Sequence, residues 1–227
     1  MGSRHLLIAG TGRAGTTALV QLLGGCGLDT GADDLWYFNY SRAGLEAKLD
    51  REQWSYVVKR PYFSDELAGM IADGFDPAQV DAIIVPLRDL DDAASSRIKI
   101  FTDRGHRAAG GLWHNRRPGR QRAELAESLY ALLVTATDHG IPLAFLGFPR
   151  FIDDPEYAWS CLERVLPTVE RDTFLAAHAE LVRPEMVSDL AFPSRSRMAL
   201  LDIRWAVLAA MDRAIRVFGL GGRSRPY

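Results

Sequence analysis

The chain is predicted to be an α/β protein, a three-layer parallel sheet with helices on both faces, on three observations. Short apolar runs of strand length recur at 6–9, 56–58, 82–87 and 143–146, and enough residues separate each pair to form a helix. Strands that alternate with helical segments in this way build parallel sheets, because each crossover lays a helix over one face. The first run also passes straight into a glycine-rich turn and then an apolar helical segment, the layout that turns backbone N–H groups toward an anion.

Each element has its own local justification. The first strand, 6–9, enters a turn with Gly10, Gly12 and Gly15, after which 15–24 has the apolar spacing of a helix. A second strand is read at 56–58 and a third at 82–87. Helices follow at 91–103, at 121–139 (ended by Gly140 before Pro142), and after the fourth strand at 155–166 and 170–182. A last helix at 198–218 places Leu201, Trp205, Leu208 and Ile215 near one face, which packing alone explains. Segments 25–53 and 104–120 are read as irregular, and 219–227 as a fraying tail. The expected organisation is one domain over 1–227, with a core at 5–165, a helical extension at 166–218 and the tail.

Composition narrows the function classes. A chain of 227 residues, 48% hydrophobic and 25% charged, has the make-up of an ordinary soluble globular protein. Its net charge of −2 argues against a general nucleic-acid binder. Charge is uneven, however: Arg104, Arg107, Arg116, Arg117, Arg120 and Arg122 crowd one stretch with His106 and His114, a solvated face or an anion-facing lid. Cys26 and Cys161 suit a reducing cytoplasm rather than a disulfide scaffold, and no metal site is implied. With no run near the ~18 apolar residues of a membrane span, the expected location is cytoplasmic.

The glycine loop admits three phosphate-binding readings. Gly10, Gly12 and Gly15 satisfy G-x-G-x-x-G of a dinucleotide fold, but the stretch where its second strand belongs is Gly24-Gly-Cys-Gly-Leu-Asp-Thr-Gly31. Gly10, Gly15 and Thr17 satisfy the triphosphatase pattern except that Thr16 stands where the lysine belongs. The third reading takes Arg13 as the cation, followed by Ala14, Gly15, Thr16 and Thr17.

A second anion-binding half lies at Ala82-Ile-Ile-Val-Pro-Leu-Arg-Asp-Leu-Asp-Asp-Ala-Ala-Ser-Ser-Arg97. The strand delivers Arg88 at its C-terminal end, Asp91 or Asp92 caps a helix, and Ser96 follows eight residues after the arginine. Helical side chains lean toward the N-terminus, so Ser96 can face the anion that Arg88 faces.

With both halves in hand, the sequence resembles the sulfotransferase superfamily, whose sulfuryl donor is 3′-phosphoadenosine 5′-phosphosulfate. Gly10-Thr-Gly-Arg-Ala-Gly-Thr-Thr17 is similar to that family's 5′-phosphosulfate loop, and Arg88-Asp-Leu-Asp-Asp-Ala-Ala-Ser-Ser96 to its 3′-phosphate motif. Val57-Val-Lys-Arg-Pro61 resembles the strand that ends in a lysine beside the bridging oxygen. Phe145-Leu-Gly-Phe-Pro-Arg-Phe-Ile-Asp-Asp-Pro155 resembles the later strand with acidic residues and an Asp-Pro before a helix. Together the matches cover about residues 5 to 165 in order, with the specificity in the first two.

The resemblance implies a P-loop-like nucleotide-binding core. It further implies that Gly10, Gly12, Arg13, Ala14, Gly15, Thr16 and Thr17 hold the 5′-phosphosulfate, and that Arg88 and Ser96 hold the 3′-phosphate. Such a donor carries charge at two ends and needs two clips but no triphosphate lysine. Negative charge grows on the leaving phosphate oxygen during transfer, and Arg13 and Lys59 are the cations expected to meet it. The acceptor must lose a proton to a base. Small-molecule members of the family carry a histidine two residues after the lysine, where this chain has Pro61. Other branches use a glutamate some 20 residues past the loop, which here corresponds to Gly31-Ala-Asp-Asp-Leu-Trp36, so Asp33 or Asp34 is the expected base, with Glu46 not far off.

The expected activity is therefore transfer of a sulfuryl group to a hydroxyl or amine of a small-molecule, carbohydrate or lipid acceptor. Adenosine 3′,5′-bisphosphate would be the product, and no metal is required. The alternatives are an atypical nucleotide phosphotransferase, in which Asp89 holds a metal, and a catalytically inactive nucleotide-binding module. Trp36, Trp54 and Trp113 are read first as packing residues, His106 and His114 as solvated, and the residues around Leu35-Trp-Tyr-Phe-Asn-Tyr40 as a partly apolar pocket.

Overall fold

The computed structural model describes residues 3–31, 54–104, 110–114 and 117–181, together with 196, 199–204, 206, 207 and 210. Within them lies a four-stranded, all-parallel sheet of β1 (His5–Ile8), β2 (Val57–Lys59), β3 (Val80–Leu87) and β4 (Leu143–Gly147), in the order β2-β1-β3-β4. Ile8 stands in register with Lys59 on one side and with Ile84 on the other. At the end of β3, Leu87 pairs with Gly147. The four predicted strands are all present, within a few residues of their expected limits.

Side-chain alternation explains why both faces are covered. Leu6, Ile8, Ala82 and Ile84 point to one face, where they meet Leu19, Leu22 and Leu23 of α1 (Thr16–Gly25) and Leu162 and Phe174 of two helices that follow β4. These two helices are α6 (Pro155–Leu162) and α7 (Arg171–Leu181). Leu7, Val58, Ile83 and Val85 point the other way, against Phe63 and Leu67 of α2 (Phe63–Ala72) and Leu132 and Ala136 of α4 (Gln121–Asp138). Full burial of one such side chain contributes about 1.5–3 kcal/mol, several times an exposed ion pair, so the two apolar faces dominate the fold.

Two α-helical elements were not foreseen. Helix α2 reads weakly because it is short and Gly69 interrupts it, yet Phe63 and Leu67 are fully covered by the sheet and α4. A single turn, α5 (Arg150–Asp153), precedes α6, whose start is capped by Asp154 accepting the Tyr157 N–H at 2.9 Å. The helix after β3, α3 (Leu90–Arg104), begins where expected, but its cap is Asp89 rather than Asp91 or Asp92. Asp89 Oδ1 accepts the N–H groups of Asp91 and Asp92 at 2.8 and 3.1 Å, because a carboxylate one residue before the helix reaches the first-turn donors.

Helix α4 stops at Gly140, whose φ of +63° no side chain adopts readily, as the sequence predicts. In the predicted helix 198–218, positions 199–204 are helical and Leu201 packs on Ile98 and Phe101 of α3; its Trp205, Leu208 and Ile215, like the tail, lie outside the described residues. No helix among the described residues is long and apolar enough to cross a membrane.

Candidate functional site

The sheet order fixes where a ligand can sit. From β1 the chain crosses to β2 on one side and then to β3 on the other, so the crossovers diverge above the C-terminal ends of β1 and β3. Such a switch point leaves a crevice in open α/β sheets. The glycine loop leaves β1 there, Arg88 follows β3, Lys59 ends β2 and Phe148 follows β4.

The loop itself needs its glycines. Gly12 and Gly15 take φ of +61° and +74°, and a Cβ at Gly15 would lie 2.7 Å from the Phe148 ring and 2.8 Å from that of Phe151. Gly15 therefore lets two aromatic rings close against the start of α1. Arg13, between them, has φ of +58°, a left-handed conformation that costs a non-glycine residue about 1–2 kcal/mol. Strain of this kind persists where surrounding contacts over-determine it, and such positions cluster at binding sites.

Those contacts join the two predicted halves. Arg13 Nε donates to Ser96 Oγ at 3.0 Å, and Arg88 Nη1 donates to the Arg13 carbonyl at 3.2 Å. Arg88 also lies 3.7 Å from Asp92, with its guanidinium 5.1 Å from the centre of the Phe148 ring. Ser96 is buried, and so are Gly10, Gly12, Ala14 and Thr16. On the other flank Lys59 is buried with its Nζ 3.4 Å from Thr17 Oγ1. The structure thus brings Gly10, Gly12, Arg13, Ala14, Gly15, Thr16, Thr17, Lys59, Arg88 and Ser96 to one edge of the sheet. Arg13 is directed to Ser96, and Lys59 stands beside the first turn of α1. Asp33, Asp34, Glu46 and the pocket around 35–40 lie outside the described residues.

Three groups at this edge escaped the sequence reading. Arg97, next to Ser96, is buried and donates from Nη2 to the Thr11 carbonyl at 2.5 Å and from Nη1 to the Gly111 carbonyl at 2.8 Å. Its guanidinium also lies 4.1 Å from the centre of a Trp113 ring. Arg97 ties the glycine loop to the segment 110–114; the available signal was an arginine one step from Ser96 on the inward side of α3. Phe148, which closes over Gly15 and Arg88, had no such signal, because an aromatic residue after a strand is ordinary. The third group is a close contact of His114 Nε2 with Asp65 Oδ2, 2.7 Å apart.

Other expectations fall on the structural side. Trp113 is buried and stacked on Tyr62 at 4.5 Å, and Trp54 packs edge-on against His5, Phe63 and Phe75; Trp36 lies outside the described residues. Arg120 pairs with Glu124 at 3.5 Å and Arg122 with Asp91 at 2.9 Å, as on a solvated face; His106, Arg107 and Arg116 lie outside the described residues. Cys26 and Cys161 are free thiols, and burial pushes that of Cys26 up to about 11. The chain matches no family model, and neither a curated protein nor a solved structure matches it.

Proposed function

We propose that this protein is a sulfotransferase that moves a sulfuryl group from 3′-phosphoadenosine 5′-phosphosulfate to a hydroxyl or amine of a small acceptor. The observation that carries this reading is the contact between the two anion motifs: Arg13 of the glycine loop touches both Arg88 and Ser96 at the switch point of the sheet. A donor with charge at two ends suits two basic clips that share one crevice.

In this reading the N–H groups from Gly10 to Thr17 and the start of α1 receive the 5′-phosphosulfate, favoured by the helix dipole. Arg88 and Ser96 receive the 3′-phosphate, Ser96 exchanging its bond from Arg13 for one to the ligand. Lys59 neutralises the charge that grows on the leaving phosphate oxygen, a term usually among the largest in such reactions. The reading needs no metal. Asp89, the carboxylate a phosphotransferase would use to hold one, spends an oxygen on capping α3.

Incubation with sulfur-labelled donor and a panel of alcohols, amines and sugars in chelator-containing buffer tests the reading. Labelled sulfate ester or sulfamate is expected, with Lys59→Ala slowing its formation at least about a hundredfold. Magnesium-dependent turnover of ATP without sulfuryl transfer would contradict it. Binding of adenosine 3′,5′-bisphosphate with no transfer to any acceptor would point to an inactive module.

A further inference from the structure

His114 stands on the segment 110–114 that Arg97 ties to the glycine loop, and its side chain is 46% exposed. Its Nε2 lies 2.7 Å from Asp65 Oδ2. That carboxylate is itself fixed: Ser128 Oγ donates to Oδ1 at 2.6 Å and Trp113 Nε1 to Oδ2 at 3.1 Å. The chain entering His114 is equally constrained, because Gln121 accepts the Trp113 N–H at 2.5 Å and donates to its carbonyl at 3.2 Å. On this platform His114 takes φ of +23°, a strained value for a residue with a side chain. A hydrogen-bonded carboxylate thus stands against an exposed imidazole, as in bases oriented by a third group.

The placement fits the crevice. Pro61 borders Gly12, Tyr62 stacks on Trp113, and Asp65 follows in the first turn of α2, so the chain that delivers Lys59 leads within six residues to the carboxylate. The charged groups around it are Asp65 from α2, Arg97 behind the Trp113 ring from α3, and Arg60, which lies 5.7 Å from the Tyr62 ring and is paired with Glu66.

We propose, resting on the sulfotransferase reading, that His114 is the general base for the acceptor, with Asp65 as its positioning residue. With Nε2 turned to Asp65, Nδ1 is the ring nitrogen that takes the proton. A lone pair of the acceptor oxygen or nitrogen forms the new bond to sulfur, and the bond from sulfur to the 5′-phosphate oxygen breaks with its electron pair left on the phosphate. The acceptor proton passes to Nδ1, and the imidazolium, paired with Asp65, returns it to water.

The test follows release of adenosine 3′,5′-bisphosphate from the donor by the full chain, with the same acceptor panel, across a pH series. His114→Asn is chosen because asparagine tolerates positive φ. It is expected to lower transfer about 10²–10⁴-fold. Calorimetric binding of the bisphosphate stays within twofold, and the acidic limb of the pH profile disappears. Imidazole added to His114→Ala restores part of the rate, and Asp65→Asn displaces the limb. Transfer by His114→Asn at the wild-type rate would overturn the proposal alone, as would loss of bisphosphate binding in step with rate, or loss of the limb in Asp33→Asn or Asp34→Asn instead. A wild-type chain that transfers to no acceptor would overturn both the proposal and the reading beneath it.

Discussion

Arg97 shows how one residue can organise a loop. Its two hydrogen bonds end on the buried carbonyls of Thr11 and Gly111, and its guanidinium lies over Trp113. Charge-assisted bonds are each worth about 1.5–3 kcal/mol, and deleting the donor also strands the acceptors. Arg97→Ala is therefore expected to lower the unfolding free energy by about 3–5 kcal/mol, read from the urea midpoint. Arg97→Lys should recover less than half of that, because a single ammonium on a thinner stem cannot span two carbonyls and cover a ring. Full recovery with lysine would mean that charge alone matters there. Lys59 is the contrasting case, a buried ammonium beside Thr17 at a strand end where packing would be served better by an apolar residue.

At the scale of elements, the two edges of the sheet do different work. The C-terminal edge carries the glycine loop, Lys59 and Arg88, whereas the N-terminal edge is stitched by Tyr56 and Arg4, which both bond to Asp81 of β3. Burial first, then the Asp81 charge, pushes the Tyr56 phenol up to about 12, partly offset by Arg4. An unfolded tyrosine ionises near 10, so the folded chain holds this proton more tightly. The contribution is complete below about pH 10 and is lost as pH rises toward 12. Melting temperatures measured from pH 8 to pH 12 should accordingly fall less steeply above about pH 10 in Tyr56→Phe than in the wild type; parallel curves would contradict this. The two central strands were legible because β1 and β3 hold continuous apolar runs. The helix α2 was not, since its hold on the sheet rests on Phe63 and Leu67, two contacts that only the tertiary fold supplies. The same limit hid Arg97 and the His114–Asp65 pair: their partners lie 86 and 49 positions away, respectively, at Thr11 and Asp65.

For the whole molecule, the order β2-β1-β3-β4 brings residues from four strand ends to one crevice. Arg13 and Ser96 are 83 positions apart in sequence, and the sequence assigns them to the two halves of one anion site without pairing them. What sequence could not give was their closeness: Arg13 bonds directly to Ser96, so the two motifs form one connected cluster. The central claim is that Arg88 and Ser96 read a second phosphate. Calorimetric comparison of adenosine 3′,5′-bisphosphate with adenosine 5′-monophosphate, in wild type, Arg88→Ala and Ser96→Ala, tests it most directly. The 3′-phosphate should strengthen binding by about tenfold or more in the wild type, a gain reduced in Ser96→Ala and abolished in Arg88→Ala. Equal affinity of the wild type for the two nucleotides, or tighter binding of magnesium ATP than of the bisphosphate, would contradict it.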